Sequence, residues 1–133
     1  MTTPAHSPTG AAVRVLAVDD GARFRDAAAD LVAHTPGFEI AGSSADGQSA
    51  LRLAQELDPD LILLDIRMAG MDGIETARRL TAASPTRLVV LVSSGDVRQL
   101  SEPAARAGAA AILRKQWLSP RFLRGLWLAL RRR

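Results

Sequence analysis

Five short apolar runs alternate with stretches of helical periodicity, and this alternation restricts the fold more than any other feature of the chain. Val13–Val18 is the first run. It is followed by Phe24, Ala28, Leu31 and Val32, an i, i+4, i+7, i+8 stripe. A second run surrounds Ile40 after the turn signal Pro36-Gly37, and Ala50, Leu53, Ala54 and Leu57 form a second helical stripe. Leu61–Leu64 follows Asp58-Pro59-Asp60, and the fourth and fifth runs are Arg87–Val92 and Ala109–Leu113. Strands separated by helices of about ten residues imply a parallel sheet with right-handed crossovers and helices on both faces. Runs 61–64 and 88–92 are apolar without alternation, as strands buried on both faces must be.

Helix ends are signed as well. Asp72 can cap the third helix while Glu75 reaches back to it, and Ser119 caps the last helix with Pro120 at its first position. The chain of 133 residues accommodates one doubly wound α/β domain over 13–133, preceded by a polar leader over 1–12 expected to be disordered. Its apolar fraction of 47% is that of a globular protein. The absence of cysteine excludes disulfides, thiolate metal sites and a cysteine nucleophile. No apolar run approaches the ~18–20 residues that span a bilayer. MTTPAHSPTG lacks the basic start and apolar core of a secretory signal, so the expected location is cytoplasmic.

Charge is unevenly spread. Acids outnumber bases through Glu102, whereas from Pro103 onward there are eight basic residues and no acidic one. The arginines of that tail decorate the last helix, and the net charge of +3 is not a sign of nucleic-acid binding.

In doubly wound folds ligands bind outside the carboxyl ends of the strands. The residues just past the runs are Asp19 and Asp20, Asp65, Ser93 and Lys115. Three carboxylates packed together repel, and a hard divalent cation such as Mg2+ removes the conflict. One carboxylate could then act as nucleophile toward a phosphoryl group, with the ammonium and the hydroxyl neutralising charge on its oxygens. Taken singly, Asp19-Asp20 reads as a solvated turn, Ser93 as a strand-end hydroxyl and Lys115 as an exposed cation. Five such groups at one end of one sheet make that reading weak.

The chain resembles the receiver domain of two-component response regulators from about Val13 to Leu130. VLAVDDGARFR matches the first strand and acidic pair, DPDLILLDIRMAGMDGIE matches the phosphoacceptor strand and loop, and AGAAAILRK carries the lysine 22 residues after Ser93. The wording, with SSADGQSAL before the second helix, is closest to regulators of the NarL/LuxR type. The resemblance implies a flavodoxin-like five-stranded sheet of order 2-1-3-4-5. It implies that Asp65 is phosphorylated by a sensor histidine kinase, and that Mg2+ is held by Asp19, Asp20, Asp65 and the backbone carbonyl of Arg67. Ser93 would hydrogen-bond the phosphoryl group and Lys115 would pair with one of its oxygens. Output through helix 4, strand 5 and helix 5, to a homodimer or another partner, is implied too. The chain would then be a switch, not an enzyme beyond its own phosphorylation and dephosphorylation. Two other readings are a receiver fragment of a LuxR-type DNA-binding regulator and a receiver-like interaction module that is never phosphorylated.

Several positions depart from the family pattern. Ala69 replaces a loop proline, Ile112 replaces the aromatic rotamer switch, and Gln116 follows Lys115 where relatives have a cis proline, so a trans bond is expected. Pro103 falls inside the fourth helix, which should be short or late-starting and capped by Ser101. Arg67, two residues past Asp65, is expected to influence the water that removes the phosphoryl group. It also stands where haloacid-dehalogenase-type phosphatases need a second acid. No GxxxxGK[ST] loop is present, and neither His6 nor His34 resembles a phosphotransfer histidine. The last helix, with Phe122, Leu123, Leu126, Trp127, Leu128 and Leu130, is more apolar than one buried stripe requires, and Trp117 could extend a partner surface.

Overall fold

The computed structural model describes residues 11–68 and 70–131, so Ala69, most of the leader and the last two arginines lie outside the described residues. The elements are β1 (Val13–Val18), α1 (Ala22–Ala33), β2 (Phe38–Ser44), α2 (Gly47–Leu57) and β3 (Leu61–Asp65), followed by α3 (Gly73–Ala83) and β4 (Leu88–Ser93). After these come α4 (Ser101–Arg106), β5 (Ala111–Arg114), a 3-10 turn (Lys115–Trp117) and α5 (Pro120–Leu130). All strand pairs are parallel and the sheet order is β2-β1-β3-β4-β5, the doubly wound arrangement expected. No cis peptide bond occurs among the described residues, so Lys115–Gln116 is trans.

Side chains alternate across a strand with a period of two, and here that alternation sorts the core into two layers. Leu16, Val18, Ile62, Leu64, Val89 and Leu91 pack against Ala50 and Ala54 of α2, Ala77 and Leu80 of α3, and Ala104 of α4. Val15, Leu61, Leu63, Val90, Val92 and Leu113 pack on the other side with Val32 of α1 and Leu123 of α5. β3 lies at the centre of the sheet and every one of its residues is buried. The small alanines of α2 and α3 let those helices approach the branched side chains of the sheet.

Helix ends follow the sequence signals in part. The Asp72 carboxylate accepts from the Glu75 N–H at 2.9 Å, but Glu75 does not reach back. Its carboxylate is taken by Arg78 and by Arg79, the latter at 2.7 Å, because two arginines stand on the next turn of the same face. Ser119 caps α5 as expected, accepting from Phe122 N–H at 3.1 Å. α4 has only six residues, but Ser101 is not its cap. Leu100 holds that position without a side-chain bond, after a turn closed by Leu100 N–H to Val97 O at 3.0 Å, and Ser101 is the first helical residue. Pro103 therefore sits in the first turn, where its missing N–H removes no helical bond.

Two strand limits also shift. Arg87 precedes β4, and its buried guanidinium donates to the Ala54 carbonyl at 3.3 Å and the Asp58 carboxylate at 3.4 Å. It thus helps cap the C-terminus of α2, which ends in left-handed Asp58. β5 starts at Ala111, because Gly108 with φ +91° and the Ala109 N–H bonded to Ala104 O still belong to the end of α4. Most apolar residues of α5 are absorbed by the core, including Phe122, Leu123, Leu126, Trp127 and Leu130, while Leu128 and Trp117 stay exposed. Leu63, fully buried in the central strand, should be among the most costly positions to truncate. Leu63→Ala is expected to lower the unfolding free energy by about 2–5 kcal/mol, measured by urea denaturation.

Candidate functional site

Four strand ends converge on one rim of the sheet. The alternation that divides the core continues one step further and decides which side chains meet there. Asp65 follows Leu61 and Leu63, and Lys115 follows Leu113, so both emerge on the side of α1 and α5. Asp19 continues the register of Val15 on the same side, and its N–H extends the ladder to Ser44 O at 3.0 Å. Ser93, by the same count, belongs to the side of Val89 and Leu91.

Asp19 is buried, with one oxygen accepting from the Gly21 N–H at 2.7 Å. Its backbone carbonyl accepts from the Arg25 guanidinium, also at 2.7 Å, which braces the turn between β1 and α1. Asp65 is 6% exposed, at the end of the most buried strand. Asp20 is exposed. One oxygen from each of Asp19, Asp20 and Asp65 lies within 4.8 Å of the others, an all-oxygen donor set of the kind a hard divalent cation takes. The Lys115 ammonium is 2.5 Å from Asp19 Oδ2 and 3.6 Å from Asp65 Oδ1. Ser93 is buried, and its hydroxyl oxygen accepts from the Gly95 N–H at 3.1 Å. Arg67 is exposed, and its N–H faces the Asp65 carboxylate.

Burial holds the Asp65 carboxyl above its ordinary range, with the adjacent Asp19 charge adding to it. The Lys115 ammonium and the Arg67 N–H act in the opposite direction without cancelling it. Gly73 opens α3 against the backbone of Asp65 and Ile66 so closely that a β-carbon would collide with the Asp65 carbonyl oxygen and the Ile66 Cα. The sequence gives no sign of that approach. It also hides Phe24, one more apolar residue of the α1 stripe, whose ring centroid lies 4.6 Å from Lys115 Nζ. Phe24 would have been found only by placing α1 on the same side of the sheet as Asp65 and Lys115.

Residues 15–125 match the family described as the response regulator receiver domain. The chain belongs to the response regulator receiver family. Among relatives of this receiver is a protein-glutamate methylesterase/protein-glutamine glutaminase of Myxococcus xanthus, 38% identical over 77% of the chain and 30% of that protein. Another is the transcriptional regulatory protein LiaR of Bacillus subtilis, 38% identical over 77% of the chain and 49% of LiaR. The receiver thus spans about a third to a half of the length of these relatives. A solved structure, the signal receiver domain of the response regulator NarL from Mycobacterium tuberculosis, superposes with a TM-score of 0.73. It is 34% identical, and the match covers 78% of this chain and 84% of that one. The NarL/LuxR-like neighbourhood read from the motifs is thereby supported.

The raised Asp65 carboxyl has a consequence for stability in the absence of metal. The folded state binds the Asp65 proton more tightly than the unfolded chain, so the ionised group disfavours folding above its folded pKa. That penalty is relieved as pH falls through this value. Asp65→Asn should therefore resist denaturant better than the parent at neutral pH in a chelator. The gap should narrow toward lower pH, as followed by denaturation midpoints across a pH series.

Proposed function

We propose that this receiver is a phosphorylatable switch in which Asp65 takes a phosphoryl group from a sensor histidine kinase. One observation carries the reading: a buried aspartate grouped with two further carboxylates and contacted by an ammonium. Three clustered acids without other work to do would only destabilise the fold. Asp19, Asp20 and Asp65 would hold Mg2+, together with the carbonyl of Arg67, and the bound ion would neutralise charge on the transferring phosphoryl oxygens.

An Asp65 carboxylate oxygen attacks the phosphorus of the donor's phosphohistidine. The phosphorus–nitrogen bond breaks, and its electron pair stays on the imidazole nitrogen, which takes up a proton. Lys115, already beside Asp65, pairs with a phosphoryl oxygen. The Ser93 hydroxyl accepts from Gly95 and keeps its own proton to donate to another oxygen. Phosphorylation adds about −1.5 to −2 of charge at the rim. Ser93 and Lys115 meeting that charge in one arrangement would shift the population toward it.

The reading extends to the rest of the chain. Residues 13–133 would form the receiver and 1–12 a leader, in the cytoplasm, and the receiver's own chemistry would be its phosphorylation and dephosphorylation. No helix among the described residues is long and apolar enough to cross a membrane. Output would pass through α4, β5 and α5 to a homodimer or another partner. Exposed Trp117 and Leu128 offer apolar contact area there. With Ile112 where the family has an aromatic switch, coupling does not run through a ring flip. A second reading is favoured by the match to half of LiaR: the same switch serving as the receiver part of a DNA-binding regulator.

Mass spectrometry after treatment with acetyl phosphate and Mg2+ tests the central claim. One phosphoryl adduct is expected on the parent and none on Asp65→Asn, whereas an undiminished adduct on the variant would remove Asp65 from the role. Arg67→Ala should change the lifetime of the adduct while leaving its formation intact. An unchanged decay in a time course would sink the assignment of Arg67 to the hydrolytic water.

A further inference from the structure

Lys115 is the one lysine of the chain; the other sixteen of its seventeen basic residues are arginines. Its ammonium lies 2.5 Å from an Asp19 oxygen and 3.6 Å from an Asp65 oxygen, and it stands over the face of the Phe24 ring, 4.6 Å from the centroid. Phe24 lies in the first turn of α1, half-buried, and packs with the core layer that continues into Asp65 and Lys115. A cation within about 6 Å of a ring centroid is attracted by the ring's quadrupole, more strongly where water is excluded. The Lys115 side chain is 22% exposed, so its ammonium is partly withdrawn from solvent.

We propose that Phe24 is a positioning residue that holds the Lys115 ammonium at the phosphoryl site independently of the carboxylates. This rests on the reading of Asp65 as phosphoacceptor. The physical need is clear from the geometry. Asp19 and Asp65 are both the partners of Lys115 and the oxygens offered to a divalent cation. A bound cation would draw on the same carboxylate charge and repel the ammonium, and a flexible four-carbon stem would then let the lysine swing into water. The Phe24 ring has no charge to lose to the cation, so its attraction for the ammonium survives metal binding. Neighbouring Arg23 and Arg25 cannot replace it, since both are cations; Arg25 is already committed to the Asp19 carbonyl. The compact ammonium also suits a place beside two carboxylates and a ring better than a planar guanidinium does.

Having a single lysine makes the test direct, because lysine labelled with carbon-13 gives one set of ε-methylene resonances. In the 133-residue chain these protons should show a ring-current shift that persists when Mg2+, and then Mg2+ with beryllofluoride, is added. The shift should vanish in Phe24→Leu and return in Phe24→Trp. With acetyl phosphate and Mg2+, Phe24→Leu should be phosphorylated roughly three- to tenfold more slowly than the parent, and Phe24→Tyr and Phe24→Trp at rates close to it. All variants should still reach the same adduct on Asp65, and their denaturation midpoints show whether folding is preserved. Rescue by both aromatic variants separates positioning from the filling of apolar space, which Leu also achieves. The proposal is overturned if the ε-methylene shift is absent or collapses on Mg2+ addition, or if Phe24→Leu is phosphorylated at the parental rate. A parent that takes no phosphoryl group while keeping a Mg2+-resistant shift would overturn the role of Asp65 and leave Phe24 as the holder of Lys115. The two failures are therefore distinguishable.

Discussion

Everything at the rim depends on one arrangement: a strand buried on both faces that ends in a carboxylate. Leu61 to Leu64 are shielded by helices on either side, so β3 has no freedom to slide or rotate. A one-residue slip would reverse the two faces and place Asp65 on the wrong side of the sheet. Apolar burial thus holds a charged group in a place that charge alone would avoid. Asp19 and Lys115 are set by the same rule acting on β1 and β5. The acid pair and the ammonium meet because the four strands β1, β3, β4 and β5 keep one register.

The site also shows how opposing electrostatic effects are balanced. Burial and the Asp19 charge both disfavour ionised Asp65, while Lys115 and the Arg67 N–H favour it without overcoming them. The folded protein therefore holds an electrostatic conflict at its sheet edge of the kind a hard divalent cation is suited to resolve. Three charged groups elsewhere have structural work instead. Asp46 and Asp72 cap helices, and Arg87 closes the end of α2 with a carbonyl and a carboxylate. Those charges meet partners that the fold alone supplies.

Much of this was legible in the residues. Apolar runs and helical stripes specify a doubly wound sheet, and of the groups just past each run the structure brings Asp19, Asp20, Asp65 and Lys115 together. Details that depend on neighbours were not. Glu75 was expected to complete a capping box, but Arg78 and Arg79 stand closer along the same face and take it. Ser101 is a favourable cap by type, yet the turn from Val97 to Leu100 sets the start of α4 one residue earlier. Arg87 reads as the opening of a strand, whereas its guanidinium is drawn to the Ala54 carbonyl and the Asp58 carboxylate, 33 and 29 residues away in the chain.

By itself the sequence determined the order of elements, the burial of β3 and the identity of the acids, the hydroxyl and the lysine. Such properties follow from local periodicity and residue chemistry, which each segment carries with it. Only the tertiary structure decided which groups touch: Lys115 lying against Asp19 and Asp65, Phe24 facing the same ammonium, and Gly73 passing against the Asp65 backbone. Contacts of this kind join residues up to 96 positions apart, and no local pattern encodes them. They arise when the packing of two helical layers against one sheet fixes both the register of the strands and the side from which each helix approaches.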